Sequence, residues 1–150
     1  MADFLSALKV GLVAADSAEK NKEEIREVFR DLNRQLAEGT NRKVAIERVV
    51  WSNPLAAFNA ITGKQGEVSK KWYLNAKSLI AKSESHTIAG WKHSRAGYPC
   101  TISIGDSDIH CTDRQGLERG LAILLQDPAV GEIIAKLLLL EPDPAQPTKE

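Results

Sequence analysis

Three observations predict an α+β fold in which an antiparallel sheet of three to four strands is covered by N-terminal and C-terminal helices. First, Cys100, Ile102 and Ile104 alternate with polar residues, and this period of two is typical of a half-buried strand. Second, a turn sequence at residues 105–108 leads into another short alternating run at 109–111. Third, two apolar patterns with helical spacing follow, and each begins with a capping sequence.

The N-terminal part of the chain predicts two helices that are separated by a capping sequence at residues 16–17. Residues 3–15 carry leucines on one side, and Asp16 and Ser17 are typical N-cap residues. The apolar residues of 17–38 recur at steps of four and three: Ile25, Phe29, Leu32 and Leu36. This narrow seam either packs on the sheet of its own chain or pairs with a second copy or a partner helix.

The middle of the chain predicts strands at 43–51, 86–91 and 98–104, with residues 92–97 joining the last two. Asn53 and Pro54 predict a brief helix that ends near residue 61. Residues 69–82 fit either a helical face or strand alternation. Their content of Leu, Ala and Lys favours a helix.

The C-terminal part predicts two helices and a tail. Thr112 with Gln115 resembles a capping box, and Asp127 with Pro128 predicts a second helix start. Leu117, Leu121, Ile133, Ile134 and Leu137 are expected to cover the sheet face that carries Ile102, Ile104 and Ile109. Proline recurs every two or three residues within 141–150, which predicts a disordered tail after a single domain at 1–140.

The two cysteines predict free thiols in a reducing compartment. If Ile104 faces Ile109 across a four-residue turn, Cys100 lies opposite Asp113. The thiols are then diagonal neighbours about 7 Å apart, and we expect them to be buried as small apolar groups.

The charges of the chain balance overall but are unevenly distributed. Of 20 basic and 20 acidic residues, seven basic and two acidic ones lie in residues 63–95, whereas 96–150 carries four basic and nine acidic ones. These two parts either neutralise each other or leave a basic face for an acidic partner.

The longest apolar run, 137–140, is far shorter than the ~20 residues that a membrane helix needs. Asp3 stands where a signal peptide would be basic, so the sequence predicts a cytoplasmic protein without membrane contact.

The basic aromatic segment, residues 63–95, supplies the candidate binding residues. Cations and rings interleave within it: Lys70, Lys71, Trp72, Tyr73, Lys77, Trp91, Lys92, His93 and Arg95. Cations and aromatic rings together bind single-stranded nucleic acid, and Trp, Tyr and Arg also dominate protein interfaces. The other interpretation is that Trp72 and Trp91 belong to the core and the lysines to its solvated rim.

No motif in the chain predicts catalysis, a metal or a cofactor. His110 and Cys111 are adjacent on a strand and point to opposite faces, and no paired metal-ligand spacing occurs. His93 with Ser94, or His86 near Ser83 and Ser85, lacks the motifs of a nucleophilic hydrolase. The sequence therefore predicts a non-enzymatic protein-binding accessory protein of the immunity, chaperone, adaptor or phage-accessory type. It could use the 17–38 helix for self-association. Nucleic-acid binding through residues 63–95 is the alternative, and a small hydrolase is a distant third.

Overall fold

The computed structural model describes residues 2–51 and 71–144, which form an α+β fold. Its elements are α1 (Phe4–Gly39), β1 (Val44–Trp51), β2 (Lys71–Ser78), β3 (Ser85–Ser94), β4 (Gly97–Ile104), β5 (Ser107–Cys111), α2 (Arg114–Gln126) and α3 (Pro128–Leu138). The five strands form one antiparallel sheet in chain order. The predicted class is confirmed, with one strand more than the predicted upper limit.

Strand β2 accounts for the additional strand, and the prediction of a helix over 69–82 was wrong. The strand pairs with β1 on one side and with β3 on the other. Its buried residues alternate with more exposed ones, so Leu74, Ala76 and Ser78 are buried. Pairing on both sides outweighs the weak helical preference of Leu, Ala and Lys, because propensity is a small term beside tertiary contacts.

Helix α1 is continuous, whereas the sequence predicted two helices with a cap at residues 16–17. Asp3 is the N-cap, and its carboxylate accepts a hydrogen bond from the Ser6 N–H. Asp16 lies within the helix and forms an ion pair with Lys20 one turn later, at 3.1 Å. The Asp16 carboxylate thus pairs with a lysine on the helix surface and does not cap a helix.

The apolar seam of α1 packs on the chain's own sheet, which is the first of its two predicted uses. Ile25, Val28 and Phe29 are buried in the core, with Leu32 and Leu36 packed against it. Next to this seam, the Asn33 amide exchanges two hydrogen bonds with the backbone of Ile46, at 2.8 and 2.9 Å. These bonds occupy backbone groups of β1, the edge strand of the described sheet, and so protect it from unwanted pairing.

The β3–β4 and β4–β5 hairpins have shorter connections than the sequence predicted. Residues 95–96 join β3 to β4, so Lys92 and His93 belong to β3 and not to the connection. Residues 105–106 join β4 to β5, and Ile102 therefore faces Ile109. The predicted pairing of Ile104 with Ile109 was wrong by two residues, because the turn uses two residues instead of four.

The C-terminal helices cover the sheet as predicted. Leu117, Leu121 and Leu137 are buried, and Ile133 and Ile134 pack against the same core. Pro128 begins α3 after the Asp127 cap, as expected. At α2 the cap is Asp113 instead of Thr112, and its carboxylate accepts a hydrogen bond from the Gly116 N–H at 2.7 Å.

Some predictions fall wholly or partly outside the described residues. The brief helix at 53–61 is one of these, and so is the end of the tail at 145–150. The start of the predicted tail contacts the body. The Asp143 N–H donates to the Ile80 carbonyl oxygen, and the Asp143 carboxylate accepts from the Lys82 N–H, both at 2.9 Å.

Candidate binding surface

Strand alternation divides the predicted binding residues between the two faces of the sheet. Trp72 and Trp91 are register partners on the face that the helices cover, and Trp91 is only 2% exposed. Lys71 and Tyr73 alternate with Trp72 and therefore lie on the opposite, outer face. The interpretation of Trp91 as a core residue is confirmed.

A depression of about 600 Å³ nevertheless brings most of these residues together at one end of β2 and β3. It is lined by Lys71, Trp72, Tyr73, Gly90, Trp91, Lys92, His93 and Ser103. Gly90 faces Ser103 across the β3–β4 ladder, and a Cβ atom at Gly90 would lie 3.2 Å from the Ser103 Cβ. The absence of a side chain at Gly90 therefore leaves room for the Ser103 side chain, which lines the depression.

Three predicted residues do not join this group. Lys77 lies toward the other end of β2, and its ammonium forms an ion pair with Glu47 at 2.8 Å. Arg95 lies in the β3–β4 turn and is exposed. Lys70 lies outside the described residues.

A second depression, the Arg48 cleft, opens between α1 and the covered face of the sheet. It has a volume of about 420 Å³, and its lining includes Lys22, Arg26, Phe29, Arg48, Trp72 and His93. Trp72 and His93 also line the first depression, and their ring centroids are 5.5 Å apart. The two depressions therefore meet at this pair of rings.

Arg48 is the principal cation of the cleft, and two aromatic rings hold it. Its guanidinium carbon lies 4.8 Å from the Phe29 ring centroid and 5.7 Å from that of Trp91. Both distances are within the range of cation–π attraction. The side chain is half-buried, and burial together with the charge of Arg26 lowers its pKa, although it stays charged at neutral pH.

Arg48 has no acidic partner in the described part of the chain. The ion pairs found there involve other cations, and none joins a cation of 71–95 to a carboxylate of 96–144. The basic and acidic parts of the chain therefore do not neutralise each other by direct pairing between these residues. Lys71 and Lys92, at this end of the sheet, are exposed.

The surroundings of His93, beside Arg48, favour its neutral form. Its Nδ1 accepts a hydrogen bond from the Trp91 indole N–H at 3.0 Å. Burial lowers the pKa of the imidazole, and the charges of Arg48 and Lys22 lower it further. A proton on Nδ1 would remove the acceptor that Trp91 uses, so the bond and the nearby cations favour the same neutral state.

Sequence reasoning missed Arg48, although the sequence contains a signal for it. Val44, Ile46 and Arg48 share one face of β1, and the first two are buried. A cation in the buried register of a strand is unusual, because burying a charge without a partner is costly. Lys22 and Arg26 carry no such signal, since they lie on a helix surface that is rich in both charges.

The residues considered for metal or hydrolytic chemistry do not assemble into a site. No group of three His, Cys, Asp or Glu side chains within 2–51 and 71–144 is placed to hold a metal ion. The Ser94 hydroxyl donates to the Tyr98 carbonyl oxygen, and the Ser85 hydroxyl accepts from the Asn75 amide. Neither serine is hydrogen-bonded to a histidine in the described structure.

Comparisons of the chain with protein-family models, with curated protein sequences and with solved structures found no significant match. Among the helices of the described residues, none has the length and apolar character needed to cross a membrane.

Proposed function

We propose that this protein is a non-enzymatic binding protein whose Arg48 cleft receives a carboxylate from an acidic segment of another protein. Arg48 carries the proposal, because a half-buried guanidinium without a described acidic partner is costly to maintain in the free protein. The Phe29 and Trp91 rings lie within cation–π distance of the guanidinium, and no described residue accepts a hydrogen bond from its N–H groups. Guanidinium edges bind carboxylates in two-point geometry.

The surroundings of Arg48 fit a protein ligand with apolar as well as acidic groups. The Trp72 and His93 rings line the cleft, and Trp72 is half-buried whereas His93 is exposed. Trp and Arg side chains concentrate binding energy in protein interfaces when they border a desolvated pocket. Lys71 and Lys92 lie on the adjoining depression and extend the positive potential toward the outer face. Such charges accelerate association with an acidic partner.

We place this accessory role in the cytoplasm. Both cysteines are free and buried, although they lie directly opposite each other on neighbouring strands. Free thiols in such proximity fit a reducing compartment. The cleft requires only the folded chain, since no cofactor takes part in the proposed interaction.

Single-stranded nucleic acid is the second candidate, and one feature of the outer face favours it. Trp51 and Lys71 are register partners, as are Val49 and Tyr73, so two rings and a cation lie together on the outer face of the sheet. Trp51 is 52% exposed. Nucleic-acid bases stack on such rings, and each contributes about 1 to 3 kcal/mol.

Substitution of Arg48 tests the leading proposal directly. Short synthetic peptides that contain Glu, Asp and Leu are titrated into the protein, and the indole N–H signal of Trp72 is followed by NMR. We expect saturable shifts that Arg48→Met abolishes, since methionine preserves apolar packing but removes the charge. Arg119→Met is the matched control, because Arg119 is exposed on α2. Equal binding by the wild-type and Arg48→Met proteins would contradict the proposal.

The salt dependence separates the two candidates. For each tenfold increase in salt concentration, the affinity for oligothymidylate should fall by about 0.7 logarithmic units per phosphate contacted. This binding should also require Tyr73. Peptide binding should depend less on salt, because the desolvated contacts at Arg48 persist. Tight oligothymidylate binding that Tyr73→Ala removes, together with no peptide response, would favour the nucleic-acid function instead.

A further inference from the structure

The first half of α1 projects from the body as an arm, residues 4–20. After the arm, α1 meets the β3–β4 hairpin at Asn21, whose amide donates to the Ala96 carbonyl oxygen at 3.0 Å. A Cβ atom at Gly97 would lie 2.9 Å from the Asn21 Cβ, so the helix is tightly seated there. Before this point the large apolar side chains of the arm are 57–79% exposed: Phe4, Leu5, Leu8, Val10, Leu12 and Val13.

An uncovered apolar arm of this kind indicates an interaction surface. Most helical stability in proteins comes from packing an apolar face, and the apolar side chains of the arm are exposed. Contiguous exposed apolar surface on a folded protein usually marks a contact with another molecule. Arm residues 4–20 therefore need an occupant that buries part of their apolar surface.

The spacing of the arm residues matches helix pairing. Leu5, Leu8, Leu12 and Ala15 recur at steps of three, four and three, which is the a/d pattern of a coiled coil. All four lie on one face of the continuous helix. This stripe is separate from the core seam at Ile25 and Phe29, which the sheet already covers.

A second copy of the chain fits this stripe when the two arms run antiparallel. Leu8 then lies opposite the second copy's Leu12, and Leu5 lies opposite the second copy's Ala15. The two-fold axis passes near Val10, so the arms overlap while each body, which begins at Asn21, stays beyond the end of the other arm.

The charges beside the stripe favour the same arrangement. Lys9 and Asp16 both follow a d position and flank the stripe on one side, where antiparallel helices bring such residues together. Each Asp16, which pairs with Lys20 of its own chain, then lies about five residues along from the opposite chain's Lys9, and it offsets the repulsion between the two Lys9 side chains that flank the two-fold axis. A membrane surface fits less well, because membrane-bound helices carry a polar face rich in Lys and Arg, and arm residues 4–15 carry Lys9 as their one charged residue.

We propose that the arm is a dimerisation element that pairs antiparallel with the same arm of a second copy through Leu5, Leu8, Leu12 and Ala15. The contact is independent of the Arg48 cleft, which lies on the body of the molecule. It also places the two clefts of a dimer at opposite ends of the paired arms, where both stay open to ligands.

Sedimentation equilibrium tests the proposal with two matched variants. Leu8→Glu places a charge in the stripe, whereas Val13→Glu places the same charge about 140° around the helix from Leu8. Both sites are exposed in the single chain, at 57% and 67%. We expect a reversible dimer from about 1 to 200 µM, because association follows mass action. Leu8→Glu should weaken it about a hundredfold or more, since two leucines are lost per dimer. Val13→Glu should leave it unchanged.

Disulfide trapping tests the direction of the helices. Chains with Leu8→Cys are mixed with chains with Leu12→Cys and oxidised under mild conditions. The antiparallel arrangement predicts mainly the mixed 8–12 cross-link, because disulfides require Cα atoms within about 7 Å. Self-cross-linking at position 8 would overturn the antiparallel arrangement. A wild-type protein that stays monomeric, or a Leu8→Glu variant that dimerises normally, would overturn dimerisation through the arm.

Discussion

Cys100 and Cys111 lie directly opposite each other on β4 and β5, and both thiols are buried. Cys111 also lies against α2, where Gly120 allows the helix to approach, since a Cβ atom there would be 3.1 Å from the Cys111 Sγ. The pair of thiols is therefore packed where the sheet meets the helix. The sequence predicted buried free thiols as diagonal neighbours. Their burial and free state are confirmed, and their relative position is closer than predicted.

The first prediction concerns the reactivity of these thiols. The hydrogen bond with Cys111 and burial both raise the pKa of the Cys100 thiol, so it stays protonated at neutral pH. Denatured protein should take up two equivalents of a thiol reagent without prior reduction, and native protein should react slowly at Cys100. The control is Ser107→Cys, at an exposed position, and this new thiol should react rapidly in the native protein. No reactive thiol in the denatured chain would contradict the free state.

The second prediction concerns the contact between α2 and the rest of the core. Leu121 is 3% exposed, and its replacement by alanine should lower the free energy of unfolding by about 2 to 5 kcal/mol. Ile123 on the same helix is 46% exposed, so Ile123→Ala should cost less than about 1 kcal/mol. Urea titration of both variants measures the difference. Equal losses would show that this side of α2 is not the buried one.

The third prediction concerns the close packing of α1 against the β3–β4 hairpin at Gly97. Gly97 has a φ of +88°, and a Cβ atom there would lie 2.9 Å from the Asn21 Cβ. Gly97→Ala should therefore cost about 2 to 4 kcal/mol, from backbone strain and from displacement of the helix. Gly105 also has a positive φ, +56°, but open space around its Cβ position. Gly105→Ala should cost only about 1 kcal/mol in the same unfolding measurement. A similar loss in the free energy of unfolding at both positions would contradict the close packing of α1 at Gly97.

The fourth prediction concerns the pH dependence of stability through His93. Burial and the charges of Arg48 and Lys22 lower the pKa of this imidazole in the folded protein. The unfolded chain then takes up a proton at higher pH than the folded state does. The free energy of unfolding should fall as the pH falls below about 6.5, until the folded imidazole is protonated as well.

Two variants isolate this contribution. His93→Asn places an amide oxygen close to the position of Nδ1, where it can accept from the Trp91 indole, and it removes the titration. Thermal unfolding at about pH 7.5 and about pH 5.5 should then differ less for His93→Asn than for wild type. His110→Asn, at an exposed position on β5, should keep the wild-type difference. An unchanged difference in His93→Asn would assign the pH dependence to other groups.

Local chemistry was enough to predict several elements of this fold. The alternating residues of β1 and β4, the Asp127–Pro128 start of α3 and the leucine face of α2 depend on neighbours within a few positions. The sequence by itself therefore determined the α+β class, the covered sheet face and the burial of the thiols.

Only the tertiary structure decided the identity of β2, the continuity of α1 and the register of the β4–β5 hairpin. Pairing on both sides makes residues 71–78 a strand, and a two-residue turn places Cys100 opposite Cys111. The candidate site depends on the same distant contacts, because Arg48 meets Phe29 and Trp91 from separate elements. Sequence patterns report which face of one element is apolar. They do not report which cation of another element that face will hold, since that depends on contacts between residues far apart in the chain.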